Sequence, residues 1–256
     1  MIYLAYTRGT RPTALALAEE LGLERWGIRV PNFRPSTLIR WGSRRIMPPA
    51  GRVLNASSAI AISSDKWAAL NRMRAAGVST VPFFASWEEA LANSEGTVIL
   101  GRTRSGMQGR GIVVFDPHRI YGNRYFSQPV RRHEWYSVYR EPTREVRVHV
   151  VGDNVIRVQG KYRDFPEEAA ANPFVRNHGT GYRFRAPSQN LHSRRIDEAI
   201  GAVRACDLDF GAVDMLLFGG EEPSMVLEVN SAPACSPLTL SAYAEALRSL
   251  INRSQI

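Results

Sequence analysis

The chain has 256 residues, 44% of them hydrophobic and 22% charged, and its 33 Lys+Arg against 24 Asp+Glu give a formal charge of +9. That length holds one large domain or two to three small ones packed together, and no apolar run reaches the roughly 18–20 residues that a membrane-spanning helix needs. Two cysteines, Cys206 and Cys235, are too few for a disulfide framework, and the first strand pattern meets Arg8 too soon for a signal peptide, so a cytoplasmic protein is expected.

Residues 1 to about 55 read as a small α/β unit. A strand over 2–7 leads into an apolar helix near 12–21 that ends at Gly22, and a second strand pattern surrounds 37–41. Gly51 and Asn55 close the unit. The stretch Ser57 to Lys66 then continues as one amphipathic helix to Ala76, with Gly77 as its stop and Pro82 opening a new segment. Ser86-Trp87-Glu88-Glu89 is a capping box, serine at the N-cap and glutamate three residues later.

Next come a buried strand at 97–100, a glycine-rich loop at 102–111 and a strand at 112–115. A glycine hairpin of this kind can close its backbone N–H groups over phosphates. It is no Walker loop, because it lacks the terminal Gly-Lys-Ser/Thr and does not open a helix. In Glu145-Val146-Arg147-Val148-His149 the polar residues alternate with valines and share one strand face. Gly152-Asp153-Asn154 turns the chain, and Gln159 and Lys161 lie on the returning strand. That face reads either as a ligand surface or as a cross-strand charge ladder. His149 alone reads as structural. Ser193 caps a helix running to about Cys206, and 238–251 forms a terminal amphipathic helix.

The most informative segments lie between those helices. Asp214 sits inside the apolar run 209–217, and Glu228 and Asn230 sit two apart inside 226–230, so the latter two share a face. Gly219-Gly220 begins a turn that folds the second strand back antiparallel and brings Asp214 beside them. Two carboxylates and an amide oxygen suit Mg²⁺, which prefers hard oxygen ligands completed by substrate phosphates.

From about Asn55 to the C-terminus the chain resembles the ATP-grasp superfamily, and within it the RimK-like carboxylate–amine ligases, including a phage-encoded branch. The segment Glu228-Val229-Asn230-Ser231-Ala232-Pro233 carries the resemblance most specifically. It implies an α/β (α+β) fold of two subdomains gripping ATP behind a small N-terminal unit. The expected division is 1–55, 56–135 with the glycine loop, and 136–256 with the metal site. Asp214, Glu228 and Asn230 would hold Mg²⁺, two ions with Mn²⁺ able to substitute. Lys66 and Arg102 would contact ATP phosphates, with Gly106 and Gly109 in the covering loop. Arg102 departs from the family, which has lysine there, so altered nucleotide geometry or weakened catalysis is open. Tyr136, Val138 and Tyr139 would line the adenine pocket, and Glu145 would contact the ribose or order the site. Arg147 would meet phosphate or the substrate carboxylate. Arg176 and Asn177 would reach the transferred phosphoryl group, with Lys161 completing the cationic cage. All but two of the 33 basic residues are arginine, and the two lysines, Lys66 and Lys161, both fall at such positions. A solvated helix lysine is the plain alternative for Lys66. Arg40, within a segment similar to the phage branch, would face the ligand cleft or lie on the surface.

The implied reaction joins a carboxylate donor and an amine acceptor (amino acid, peptide or protein) through an acyl phosphate, with ATP going to ADP. Two alternatives stand beside it. One is an ATP-binding protein without ligase activity, motivated by Arg102. The other is a basic nucleic-acid-binding module, motivated by charge alone, since there is no zinc-finger spacing, aromatic RNP-type strand or long basic tail.

Overall fold

The computed structural model describes residues 1–105, 111–115, 133–164, 174, 176, 178–187, 190–220 and 222–252. Gly106, Gly109 and Asn177 lie outside the described residues.

The N-terminal unit is a four-stranded parallel sheet ordered β2-β1-β3-β4, from β1 (Ile2–Tyr6), β2 (Trp26–Gly27), β3 (Thr37–Trp41) and β4 (Arg52–Leu54). Helix α1 (Arg11–Glu20) buries Ala14, Leu17 and Ala18 on it. Strand β3 is buried at every position, Arg40 included. Arg40 donates from one terminal nitrogen to the carbonyls of Ser43 (3.1 Å) and Arg45 (2.7 Å). It therefore clasps its own loop, which is neither the cleft-facing nor the surface role its sequence position offered.

The expected long helix is two: α2 (Ser57–Ser64) and α3 (Lys66–Ala75). The break is at Asp65, whose extended backbone (φ −95°, ψ 102°) lets its carboxylate accept from the Ala68 N–H at 3.0 Å. An aspartate N-cap satisfies an orphan amide, so it starts a new helix more readily than it continues an old one. Lys66 thereby becomes the first residue of α3. Gly77 ends it in the left-handed region, as expected (φ +76°).

A second four-stranded sheet, antiparallel and ordered β5-β8-β6-β7, contains β5 (Phe83–Phe84), β6 (Ile99–Arg102), β7 (Val113–Phe115) and β8 (Trp135–Val138). Helix α4 (Trp87–Ala92) covers it; Ser86 accepts from Glu89 N–H at 3.1 Å, as the capping box requires.

The third sheet has five antiparallel strands, ordered β11-β10-β9-β12-β13. These are β9 (Arg144–Val151), β10 (Asn154–Arg163), β11 (Tyr182–Arg185), β12 (Phe210–Leu217) and β13 (Met225–Asn230). One face carries Val146, Val148, Val150, Val213, Met215 and Val229 into a core shared with α3 and with α5 (Ser193–Ala205). Each such side chain contributes roughly 1.5–3 kcal/mol on burial. The cap of α5 is His192, one residue before the expected Ser193. The other face is polar, and α6 (Pro237–Asn252) covers only one end of it. Helix α6 also packs on α1 and the N-terminal sheet, so one core joins β1, β3, Phe210 and Tyr243. Among the described residues no helix is long and apolar enough to cross a membrane.

Candidate active site

Strand register builds the site. Asp214 stands opposite Arg147 on β9 and opposite Glu228 on β13, while Arg147 stands opposite Gln159, and Glu145 opposite Lys161, on β10. Alternation then aims Glu145, Arg147, Lys161, Asp214, Glu228 and Asn230 from one face. This is the end of the polar face away from His149 and Tyr243. At the covered end His149 is fully buried, its Nδ1 3.1 Å from Tyr243 Oη and its Nε2 2.9 Å from Gln159 Oε1. Burial pushes the imidazole down to about 4, so it is neutral and structural, as the sequence reading expected.

Charges at this end are paired. Arg147 holds Asp214 bidentately, Nε to Oδ1 at 2.6 Å and a terminal nitrogen to Oδ2 at 2.8 Å. Lys66 Nζ lies 2.6 Å from Glu228 Oε2, and Asn230 donates to Glu228 Oε1 at 3.1 Å. Lys161 pairs with Glu145. Burial opposes ionisation of Glu228, but Lys66, the Asn230 amide and Arg147 outweigh it and hold the carboxyl down at about 2. For Glu145 burial wins over Lys161, and its affinity for a proton is raised. Burial likewise works against the Arg147 guanidinium, yet Asp214 beside it leaves it a stronger base than usual. The ring of Phe184 on β11 lies under this pair of cations, 4.2 Å from Arg147 and 5.3 Å from Lys161.

The second sheet supplies the opposite wall. Arg102, at the end of β6, donates from Nε to Ser137 Oγ at 2.8 Å and lies over Trp135. Burial lowers its guanidinium to about 10 while Glu228 and Glu145 across the cleft oppose that drop. It stays charged at neutral pH and joins the two sheets electrostatically. Arg176 reaches Tyr139 Oη (3.2 Å) and Glu141, and the charge of Glu145 also acts on it. Of the expected adenine-pocket residues, Tyr139 is therefore at the site. Tyr136 packs on Trp87 in the small core under α4, on the face of β8 away from Ser137, and Val138 shares that face.

Lys66, Arg102, Tyr139, Glu145, Arg147, Lys161, Arg176, Asp214, Glu228 and Asn230 thus converge on one cleft. Ser137, inside the expected 136–139 stretch, belongs there too, as do Glu141 and Phe184, which were not singled out from sequence. The alternation of Ser137 with Tyr136 and Val138, and of Phe184 with arginines in Tyr182-Arg183-Phe184-Arg185, was the available signal.

The donor set fits a hard divalent cation. Glu228 and Asn230 are only partly buried, and the side-chain amide oxygen of Asn230 accepts nothing among the described residues. No three His, Cys, Asp or Glu side chains form a complete cage among the described residues. Two carboxylates and one amide would leave the remaining positions to phosphate oxygens and water, as Mg²⁺ prefers. Cys235 follows this strand, and burial raises its thiol to about 12, so it is no nucleophile at neutral pH.

No family model matches the sequence, and no curated protein matches it by sequence. Solved structures do match by shape. One is the ATP-grasp ligase PsnB complexed with a minimal precursor, Mg and ADP, at 13% identity and TM-score 0.67, covering 97% of this chain and 96% of that one. Another is D-alanine–D-alanine ligase from Bacillus anthracis, at 12% identity and TM-score 0.66, covering 98% and 96%. A third is the D-cycloserine synthetase DcsG, at 14% identity and TM-score 0.63, covering 97% and 99%.

Proposed function

We propose that this chain, which has the ATP-grasp fold, is an ATP-dependent ligase that joins a carboxylate to an amine through an acyl phosphate. The observation that carries the reading is the array of cation–carboxylate pairs, Lys66–Glu228, Arg147–Asp214 and Lys161–Glu145, facing Arg102 across one cleft. Such an array is already neutral by itself. A polyanion and a divalent cation arriving together can exchange partners with it, phosphates taking the cations and the metal taking the carboxylates, without leaving a buried charge unpaired. The structures of PsnB with precursor peptide and of D-alanine–D-alanine ligase support amino acid, peptide or protein substrates.

Asp214, Glu228 and Asn230 would hold Mg²⁺, as two ions in our reading, with Mn²⁺ as a substitute. The metal would screen the phosphate charge that otherwise repels an incoming carboxylate. Lys66 and Arg102 bind and orient the phosphates. Arg102, a fork rather than a point charge, keeps the function of a lysine there by bidentate contact. Arg147 and Arg176, with Asn177, position the donor carboxylate and the transferred γ-phosphoryl group. A carboxylate oxygen attacks the γ-phosphorus and ADP leaves. The amine nitrogen then attacks the acyl carbon, the carbon–oxygen bond to phosphate breaks, and the nitrogen loses a proton as the amide forms. Carboxylates are poor electrophiles, so the phosphate supplies the leaving group while the protein positions and neutralises. The loop bearing Gly106 and Gly109 would keep water from the acyl phosphate. Residues 1–55, 56–135 and 136–256 are the functional units of this reading, and the RimK-like affinity rests on Glu228 to Pro233.

The test is Mg²⁺-dependent ADP release against a panel of amino acids and acidic peptides, with mass spectrometry of the products. A condensation product is expected. Glu228→Ala should lower turnover at least ~100-fold, since charge stabilisation by a bound metal is worth several kcal/mol. ATP binding without product on any substrate would favour the non-catalytic alternative, and no ATP binding at all would sink the proposal.

A further inference from the structure

Outside the charged cleft, the C-terminal edge of the N-terminal parallel sheet carries a second opening of about 440 Å³, lined by Tyr6, Arg8, Ile28, Ser43, Arg44 and Arg45 among others. We propose that it binds carboxylate side chains of an acidic peptide, and so selects the substrate of the ligase site next to it. The inference rests on the ligase reading for its purpose but on separate residues for its evidence.

Four observations carry it. Arg8, Arg44 and Arg45 make no salt bridge among the described residues, and no acidic side chain lines the opening. Three like charges around one concavity attract an anion, and arginine forks bind carboxylates bidentately. Second, the loop that displays Arg44 and Arg45 is held in place. The buried Arg40 clasps the carbonyls of Ser43 and Arg45, and Ser57 Oγ donates to the Arg44 carbonyl at 3.0 Å. Third, Ser43 is fully buried, lines the opening, and its Oγ has no hydrogen-bond partner among the described residues. A buried hydroxyl costs free energy when left unpaired, so the free protein leaves one hydrogen bond at this lining unmade. Fourth, the opening adjoins the metal strand. A Cβ placed on Gly42 (φ +72°) would stand 2.9 Å from Ala232 Cβ, two residues beyond Asn230.

The lining favours a peptide over a nucleic acid. Ile28 and the ring of Tyr6 give it an apolar floor, and Ile46, next to Arg45, is 92% exposed. Single-stranded nucleic acid calls for exposed aromatic platforms, whereas the one aromatic here, Tyr6, is 7% exposed.

The experiment is fluorescence anisotropy with a labelled hexaglutamate peptide, alongside a labelled ADP analogue that reads the nucleotide cleft independently. Arg44→Glu with Arg45→Glu should weaken peptide binding roughly tenfold or more, through lost charge-assisted hydrogen bonds, and leave nucleotide affinity unchanged. Arg44→Lys with Arg45→Lys should retain most of the binding and shows that the loop tolerates replacement. Nucleotide binding with no peptide binding, or peptide binding indifferent to charge reversal, overturns the inference. Tighter binding of an RNA hexamer at the same arginines overturns it as well. Arginine-dependent peptide binding without nucleotide binding would keep this site and remove the ligase reading.

Discussion

Asp214 shows how one residue can be committed in two ways. Its side chain is 6% exposed and both oxygens are held by Arg147. Removing one partner of a buried pair leaves the other uncompensated, at a cost of about 3–5 kcal/mol. Arg147→Ala should therefore lower the urea midpoint strongly in metal-free buffer. Added Mg²⁺ should restore part of the loss, because the cation replaces the missing charge beside Asp214; equal destabilisation with and without Mg²⁺ would argue against a metal site. His149 makes the contrasting case. Its folded pKa of about 4 lies below the unfolded value near 6.5, so the unfolded chain binds the proton first. The contribution of His149 to stability is complete above about pH 6.5 and declines as pH falls towards 4, by on the order of 3 kcal/mol in all. In urea titrations between pH 7 and 5, His149→Gln should flatten that slope.

At the scale of elements, Asn55 stitches the end of β4 to the start of β12. It is fully buried with φ 60°, accepts from Asp209 N–H at 2.8 Å and Phe210 N–H at 3.2 Å, and donates from its amide to the Phe210 carbonyl at 3.0 Å. Its own N–H meets Asp209 Oδ2 at 2.6 Å. Asn55→Gly keeps the left-handed backbone and loses the side-chain bonds; Asn55→Ala loses both. We expect Asn55→Ala to be destabilised by about 3 kcal/mol or more, and Asn55→Gly by roughly 1 kcal/mol less, read from chemical denaturation. The break between α2 and α3 is another element-level decision. Both halves are helix-forming; the cap at Asp65 makes Lys66 the first residue of α3, where its Nζ lies 2.6 Å from Glu228.

For the whole molecule, the relevant fact is that the charged cleft lies between two sheets joined through one apolar core containing α3, Phe83, Trp135 and Val146. A ligand that bridges them stabilises the folded chain by about 2.7 kcal/mol when present at 100 times its Kd. MgATP should therefore raise Tm by several degrees, with ATP or Mg²⁺ alone giving less and Glu228→Ala abolishing the extra shift. A thermal shift independent of Mg²⁺ would place the nucleotide elsewhere.

Much was determined by sequence alone. The period-two alternation in 145–149 and 228–230, the glycine turns and the capping residues specify strands and their faces locally, as does the apposition of Asp214 with Glu228 and Asn230 once the hairpin is read; the bulge that also turns Val226 into the core was not legible. What alternation could not decide was which part of a polar face a helix would cover. Tertiary packing put α6 over His149 and Gln159 and left Arg147 and Lys161, 14% and 10% exposed, to their carboxylate partners, and it turned Tyr136 into a small core while Ser137 faced Arg102. It alone grouped Arg8 with Arg44 and Arg45, because strands of a parallel sheet bring together loops that are distant in the chain. Periodicity is a property of neighbours along the chain, whereas a site is made by the register and coverage of segments that meet only on folding.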